Sequence, residues 1–140
     1  MTQKKKVLIL CTGNSARSQM AEGLLRHVGG DKFEVASAGT IATYVRPHGI
    51  TAMAEIGIDI SGHRSKSLAE FLDTSFDYVI TVCDNAAETC PIFPGTAKRI
   101  HWPIDDPAFA GSTDEERLAA FRRARDELAQ LLTDFVTEKG

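Results

Sequence analysis

The sequence lacks the features of a secreted, membrane-spanning or metal-binding protein. Its 140 residues contain three cysteines, with no CxxC pair, and four histidines without ligand spacing. No apolar run approaches the roughly 20 residues that cross a bilayer, and the first residues do not resemble a secretory signal. An odd number of cysteines without such a signal favours reduced or catalytic thiols over a disulfide framework. We therefore expect a cytoplasmic protein without a bound metal.

A large excess of one charge is also lacking. Sixteen Lys and Arg residues face nineteen Asp and Glu residues, which leaves a net charge of -3. This balance argues against nucleic acid or an anionic membrane as the main partner. The chain has no repeats, low-complexity tract or linker, and its length can bury one hydrophobic core. We expect a single domain over residues 1–140, and a monomer.

Short apolar runs alternate with helical patterns along the chain. This alternation favours a parallel sheet that is covered on both faces. The sequence therefore predicts an α/β fold, a single three-layer α/β/α domain with a central four-stranded parallel sheet. The predicted strands are Val7–Leu10, Phe33–Ser37, Tyr78–Val82 and Arg99–Trp102, and the first predicted helices are Ala16–Val28, Pro47–Ile56 and Leu68–Leu72.

The last predicted helix has the clearest pattern. Thr113 and Glu116 have the spacing of a capping box at its start. An apolar stripe at helical spacing follows, and we interpret it as core packing. The stripe consists of Leu118, Phe121, Leu128, Leu132 and Phe135.

One eight-residue string carries the strongest chemical signal. It begins at Cys11, directly after the apolar run Val7–Leu10, and ends at Arg17 and Ser18. A strand would deliver the sulfur to a loop, where the following helix presents its positive N-terminus and Arg17 offers a planar fork. Helix N-termini and nearby cations favour the thiolate form of cysteine. We expect Cys11 to attack phosphate or a phosphate-like oxyanion.

The residues inside the string suit a loop that surrounds an anion. Gly13 permits backbone conformations that other residues avoid, so that successive N–H groups can face one centre. Asn14 and Ser15 can brace the loop, and Ser18 can donate a hydrogen bond to the sulfur. The alternative is a purely structural role for Cys11, as a buried cysteine at a strand end beside an ordinary helix cap.

Two further elements follow predicted strands and so belong at the same edge of the sheet. Asp105 and Asp106 precede Pro107, where a carboxyl could protonate a departing oxygen, although Asp-Pro is also a common turn.

Cys83 and Cys90 are seven residues apart, about 10 Å along a helix, whereas a disulfide needs roughly 4.4–6.8 Å between Cα atoms. These two thiols can bond only if the segment between them is not an intact helix.

The string from Cys11 to Gly23 resembles the loop of arsenate reductases built on the low-molecular-weight tyrosine phosphatase fold. The resemblance spans nearly the full chain, and its motifs are specific. The matching segments are Cys11–Gly23, Ser37–Gly39, Gly57–Ser61, Cys83–Pro91, His101–Trp102 and Asp105–Pro107.

This resemblance implies a thiol relay that reduces arsenate to arsenite. Cys11 attacks arsenate and Asp106 protonates the leaving oxygen, with Asp105 as the adjacent alternative. Cys83 then attacks Cys11, arsenite leaves, and a Cys11–Cys83 disulfide remains. Cys90 moves this disulfide outward as Cys83–Cys90, where an external dithiol can reduce it.

The resemblance also implies ligands and partners. We expect no bound cofactor, phosphate and sulfate as competing oxyanions, and thioredoxin as the reductant, although relatives also use glutaredoxin or a low-molecular-weight thiol. The residues expected to bind the oxyanion are Thr12, Gly13, Asn14, Ser15, Ala16 and Arg17.

The sequence departs from the family pattern at two positions. Ala16 replaces a cysteine that many relatives carry before the loop arginine, which removes one site of damaging oxidation. Some relatives bind potassium beneath the loop, and Asn14, Glu22 and Ser37 match three of its ligands. Lys66 replaces the fourth ligand, an aspartate. An ammonium there would repel a cation and could pair with Glu22, so we predict no potassium dependence.

Two other functions compete with arsenate reduction. A low-molecular-weight tyrosine phosphatase would share the nucleophile and the acid, but that family usually has a proline at the position of Gln19 and an aromatic residue at Ala108. The other alternative is a non-catalytic module that binds an oxyanion or senses redox state. Cys83 and Cys90 favour oxidation of Cys11 over hydrolysis of a phospho-cysteine.

Overall fold

The computed structural model describes residues 4–83 and 93–139. Within these ranges, four parallel strands form one sheet in the order β2-β1-β3-β4, which confirms the predicted α/β fold. The strands are β1 Lys5–Cys11, β2 Phe33–Gly39, β3 Tyr78–Thr81 and β4 Lys98–His101. The α-helices are α1 Arg17–Gly29, α2 Pro47–Ala54 and α3 Asp114–Lys139, and short 3-10 helices cover Gly30–Lys32, Leu68–Phe71 and Pro107–Phe109.

The central strand β1 is buried on both faces of the sheet. Val7 and Ile9 pack into the core beneath the three α-helices, and Leu8 and Leu10 pack into a second core on the opposite face. All four side chains are fully buried, which explains why β1 reads as an unbroken apolar run. In the described ranges, the second face is covered by the 3-10 helix Leu68–Phe71 and nearby aromatic residues, so the helix predicted there is a single tight turn.

Local residues explain where α2 begins and ends and where α3 begins. Pro47 is the first residue of α2, and Gly57, three residues past its end, has a φ of 80°, a conformation that glycine adopts without strain. At the start of α3, the Glu116 N–H donates to the Thr113 hydroxyl at 3.1 Å. This bond is the Thr113 half of the predicted capping box. The Glu116 carboxylate accepts from the same hydroxyl at 3.2 Å.

The apolar stripe of α3 forms much of the main core. Phe121, Leu128, Leu132 and Phe135 are buried, and Leu118 is half-buried against them, as the sequence predicts. The outer face of α3 is charged. None of the helices in residues 4–83 and 93–139 has the length and apolar character needed to cross a membrane.

The carboxyl ends of the strands bring the predicted chemical elements to one edge. Strand β1 ends at Cys11, β3 ends two residues before Cys83, and β4 ends four residues before Asp105. Backbone bonds extend the pairing of these strands: the Val82 N–H donates to Leu10 at 2.9 Å and the Trp102 N–H donates to Thr81 at 2.8 Å. Ligand sites of parallel sheets lie at this edge.

Candidate active site

Cys11 lies at the end of β1, and α1 begins six residues later at Arg17. The cysteine is almost fully buried, and its sulfur is 2.8 Å from the hydroxyl oxygen of Ser18. No side chain among the described residues caps the N-terminus of α1, and its first turn carries no acidic residue. The positive end of the helix is therefore not neutralised by its own sequence.

The carbonyl groups of residues 12–16 all accept hydrogen bonds from the surrounding structure. In a trans peptide the N–H points opposite to the C=O, so the N–H groups of residues 13–17 point to the other side of the loop. This is the arrangement expected of an anion-binding loop. The donors are the Ile41 N–H to Thr12 (3.3 Å), the Thr43 hydroxyl to Gly13 (2.7 Å), the Gln19 amide to Asn14 (3.2 Å), the Arg46 N–H to Ser15 (3.0 Å) and the Met20 N–H to Ala16 (3.0 Å).

The unusual backbone conformation predicted at Gly13 occurs at the next residue, Asn14. Asn14 has a φ of 46°, whereas Gly13 is not in the left-handed region. Asparagine tolerates this region because its side chain can bond locally. The glycine that the loop requires is Gly39 on β2, where a Cβ atom would lie 2.6 Å from the carbonyl oxygen of Thr12.

The side chain of Asn14 sets the direction of the hydrogen bonds around the sulfur. Its amide nitrogen donates to the Ser18 hydroxyl at 2.8 Å and to the Ser37 hydroxyl at 3.0 Å. Because Ser18 accepts this bond, its own proton can be directed to Cys11. This is the contact that the sequence predicts between Ser18 and the sulfur of Cys11.

Gln19 is a contributor to the site that sequence reasoning missed. It is fully buried, and its side-chain nitrogen donates to the Asn14 side-chain oxygen at 2.9 Å. The backbone N–H of Lys66 donates to the same oxygen at 2.7 Å. These two donors keep the amide nitrogen of Asn14 turned toward the hydroxyl groups. A polar residue on the inward side of α1 was the available signal.

Glu22 is a buried carboxylate beneath the loop, surrounded by three basic side chains. It accepts from the Ser37 hydroxyl at 2.6 Å and lies 3.1 Å from Arg26, 3.6 Å from His63 and 3.7 Å from Lys66. The contact with Lys66 confirms the predicted ion pair. Burial lowers the pKa of His63 below its ordinary value, and the nearby Glu22 charge opposes this shift only in part.

Arg17 contacts the connection between β4 and the 3-10 helix Pro107–Phe109 at this edge of the sheet. Its buried guanidinium donates to the Ile104 carbonyl at 3.0 Å and lies 3.5 Å from the Asp106 carboxylate. The second carboxylate oxygen of Asp106 accepts from the Ala108 N–H at 3.0 Å, which caps the 3-10 helix. Asp106 therefore faces the loop arginine, whereas Asp105 is exposed.

The two described cysteines are in different covalent states. Cys11 is free, whereas Cys83 is fully buried and disulfide-bonded. The expected Cys11–Cys83 disulfide is therefore not the state of this structure. Cys90, and the segment whose conformation decides its reach, lie outside the described residues. In the described ranges, no group of three His, Cys, Asp or Glu side chains could hold a metal ion.

The structure thus combines a strand-end thiol, a loop with the arrangement expected for anion binding and a parallel sheet. The chain matches the family model of the low molecular weight phosphotyrosine protein phosphatases over residues 6–139, and it belongs to that family.

Relatives within the family carry a more specific name. A Halalkalibacterium halodurans protein named arsenate reductase is 48% identical over 132 residues, 94% of this chain and 95% of that protein. The solved structure of an arsenate reductase in the phosphate binding state is 31% identical with a TM-score of 0.79, covering 97% of this chain and 99% of that one. A Corynebacterium glutamicum thioredoxin-dependent arsenate reductase is 26% identical with a TM-score of 0.70, covering 99% of this chain and 65% of that one.

Proposed function

We propose that the chain is an arsenate reductase that serves arsenic detoxification, with Cys11 as the nucleophile. The observation that carries this proposal is the position of the Cys11 sulfur, 2.8 Å from the Ser18 hydroxyl, in a loop whose carbonyl groups are bonded on the far side. The relatives named arsenate reductase support the choice of arsenate as substrate.

The loop backbone and Arg17 bind the oxyanion in this proposal. The N–H groups of residues 13–17 donate to the arsenate oxygens, and the guanidinium adds a charge-assisted contact. Phosphate and sulfate have the same tetrahedral shape and compete for the loop. The buried position of Arg17, held by the Ile104 carbonyl, supports a preformed site because little reorganisation is needed on binding.

Ser18 and Asp106 assist the first chemical step. The Ser18 hydroxyl donates a hydrogen bond to the sulfur of Cys11. As sulfur bonds to arsenic, one As–O bond breaks, and Asp106 supplies the proton with which that oxygen leaves as water. The contact of Asp106 with Arg17, at 3.5 Å, supports this residue as the acid over the exposed Asp105.

The remaining steps pass two electrons to arsenic. Cys83 attacks the sulfur of Cys11, the S–As bond breaks, and its electron pair stays on arsenic, which leaves as arsenite. The resulting Cys11–Cys83 disulfide is then attacked by Cys90, which frees the Cys11 thiolate and forms Cys83–Cys90. The free Cys11 and the disulfide-bonded Cys83 support this order, because the relay ends with Cys11 restored.

The reductant in this proposal is thioredoxin. A dithiol protein attacks the Cys83–Cys90 disulfide through a mixed disulfide and leaves both cysteines reduced. The thioredoxin-dependent arsenate reductase among the structural relatives supports this partner.

A coupled assay tests the proposal. Arsenate, thioredoxin, thioredoxin reductase and reduced nicotinamide nucleotide are supplied, and nucleotide oxidation is followed for the wild type and for Cys90→Ser. We expect arsenate-dependent turnover that Cys90→Ser abolishes. Equal turnover by both proteins would exclude the relay, and the absence of arsenate dependence would exclude the reductase.

A matched pair of variants tests the acid. Asp106→Asn removes the carboxyl that faces Arg17, and Asp105→Asn makes the same change one residue away. We expect the turnover number to fall by about 10²–10⁴ in the first variant and to stay within about twofold in the second. The opposite ranking would assign the acid to Asp105.

The family also includes phosphatases, and the wild type and Cys90→Ser together distinguish phosphatase activity from arsenate reduction. A phospho-cysteine at Cys11 would be hydrolysed by water without Cys83 or Cys90. We expect only slow hydrolysis of small aryl phosphates, because Ala108 offers no aromatic surface for the ring. Phosphatase activity that exceeds arsenate reduction and persists in Cys90→Ser would favour the phosphatase.

A further inference from the structure

Two hydroxyl groups from separate loops converge on one carbonyl of the oxyanion loop. Thr43, in the connection between β2 and α2, donates to the Gly13 carbonyl at 2.7 Å. Ser65, shortly before the 3-10 helix Leu68–Phe71, donates to the same oxygen at 3.2 Å. These partners are 30 and 52 residues from Gly13 in the sequence, so only the tertiary fold brings them together.

The directions of these hydrogen bonds are fixed by a third contact. The backbone N–H of Thr43 donates to the Ser65 hydroxyl oxygen at 2.8 Å, which leaves the Ser65 proton for the Gly13 carbonyl. A carbonyl oxygen has two lone pairs, and the two hydroxyls use both. Gly13, Thr43 and Ser65 therefore form a closed triangle of hydrogen bonds.

Side chains hold two of the five loop carbonyls: the Gln19 amide donates to Asn14, and two hydroxyls donate to Gly13. Backbone N–H groups bond the carbonyls of Thr12, Ser15 and Ala16, and their positions follow from the path of the chain. Hydroxyl side chains hold the Gly13 carbonyl. The orientation of the Gly13–Asn14 peptide, and with it the Asn14 N–H, thus depends on side chains outside the loop.

We propose that Thr43, supported by Ser65, is a positioning residue for the oxyanion. It holds the Gly13–Asn14 peptide so that the Asn14 N–H faces the bound anion. This inference rests on the proposed function, since it takes Cys11 and its loop as the oxyanion site. The N–H contacts the anion before and during the reaction, so its loss weakens substrate binding and transition-state binding alike.

The expected kinetic signature is a higher KM with little change in kcat. Thr43→Val removes the hydroxyl and keeps the shape, and we expect the KM for arsenate and the dissociation constant for phosphate to rise about fivefold, the effect of one neutral hydrogen bond. Thr43→Ser restores the hydroxyl and should lie within about twofold of the wild type. Thr43 is exposed, so the change should leave the melting temperature nearly unaltered.

Thr133→Val is the matched control. Thr133 is an exposed residue of α3 whose hydroxyl donates to the Ala129 carbonyl at 2.7 Å, the same bond at the same distance. We expect this variant to match the wild type in phosphate affinity, KM and kcat. Phosphate binding is measured by calorimetry, and arsenate turnover by the coupled assay.

Two results would overturn the inference. Thr43→Val could bind phosphate as tightly as Thr133→Val does, or Thr43→Ser could be as impaired as Thr43→Val. If Thr43→Val unfolds, Ser65→Ala replaces it, with a weaker phosphate affinity expected and an unchanged one contradicting the proposal. Because phosphate binding needs no turnover, a wild type that binds phosphate without reducing arsenate would refute the proposed function and still test Thr43.

Discussion

Two carboxylates of this chain lie among basic side chains, one beneath the oxyanion loop and one on the surface between α2 and α3. The Glu22 side chain is 4% exposed, with Arg26, His63 and Lys66 at 3.1–3.7 Å. The Glu55 side chain is 32% exposed and makes shorter contacts, 2.6 Å to Arg122 and 2.9 Å to Arg125. The shorter distances thus belong to the exposed cluster.

The difference shows that distance alone does not rank these ion pairs. Solvent screens the contact of Glu55 with the exposed Arg122, and such pairs contribute little to stability. Arg125 is buried but has Asp126 at 2.8 Å as a second acidic partner. Glu22 is shielded from water and is hydrogen-bonded to Ser37, which accepts from Asn14. Asn14 in turn bonds to Ser18 beside Cys11. The buried carboxylate is therefore connected by hydrogen bonds to the surroundings of Cys11, whereas the exposed one joins two helices.

The largest expected effect comes from removing the buried charge. Glu22→Gln keeps the volume of the side chain but leaves Lys66 and His63 without their acidic partner. Breaking a buried ion pair costs about 3 kcal/mol or more, so we expect a clear fall in the free energy of unfolding, measured by urea denaturation. The arsenate KM should rise as well, because Ser37 and Asn14 lose the charge that orients them. A Glu22→Gln variant as stable as Glu55→Gln would contradict the difference between the buried and the exposed cluster.

A second prediction concerns the cation at Lys66. The wild type should melt at the same temperature in potassium and in sodium salts, since the Lys66 ammonium lies 3.7 Å from Glu22 and would repel a metal cation. Lys66→Asp supplies the acidic ligand that potassium-binding relatives have. We expect Lys66→Asp to melt roughly 5 °C higher in potassium than in sodium, when the potassium concentration is tenfold the dissociation constant of the potassium site. A potassium response in the wild type would refute the prediction.

A smaller effect is expected from the protonation of His63. Burial lowers the pKa of this residue in the folded state below 6.5, so the unfolded chain takes up the proton first as the pH falls. The contribution of His63 to stability is therefore present above about pH 6.5 and is lost on acidification. The wild type should lose more stability between pH 7.5 and 5.5 than His63→Gln, measured by urea denaturation. A gain on acidification would mean that the attraction of Glu22 outweighs burial.

The smallest effect is expected at the surface cluster. The hydrogen bond from Arg122 lowers the pKa of Glu55 to about 2, so Glu55 contributes stability above its ordinary pKa of 4.5 and loses it as the pH falls toward 2. Glu55→Gln should lower the melting temperature slightly at neutral pH and leave arsenate KM unchanged. A change in KM would show that the two clusters are coupled.

The periodic elements of the fold and the position of the candidate loop were predictable from the sequence. The apolar run that ends at Cys11, the stripe that includes Phe121 and Leu128, and the family motifs indicated the sheet, the last helix and the loop. Each of these features is local, since it depends on residues that are close in the chain.

The contacts that support Gly13 were not predictable, because their partners are 30 and 52 residues away in the sequence. Thr43 is an ordinary loop residue until the fold places its hydroxyl on Gly13. Gln19 is only five residues from Asn14, but its bond depends on the direction in which the Asn14 side chain points. The left-handed backbone conformation falls on Asn14, whose side chain also bonds to the distant Ser37 and Lys66. The close approach that demands a glycine is at Gly39 on a neighbouring strand. Such features depend on tertiary placement.

The central claim is that the sulfur of Cys11 is oxidised by arsenate and not merely phosphorylated or arsenylated. Fully reduced Cys90→Ser is mixed with one equivalent of arsenate in the absence of thioredoxin, and the protein and the arsenic species are analysed by mass spectrometry and chromatography. The relay predicts one equivalent of arsenite and a disulfide between Cys11 and Cys83. Unchanged arsenate, with both cysteines still reduced, would contradict it.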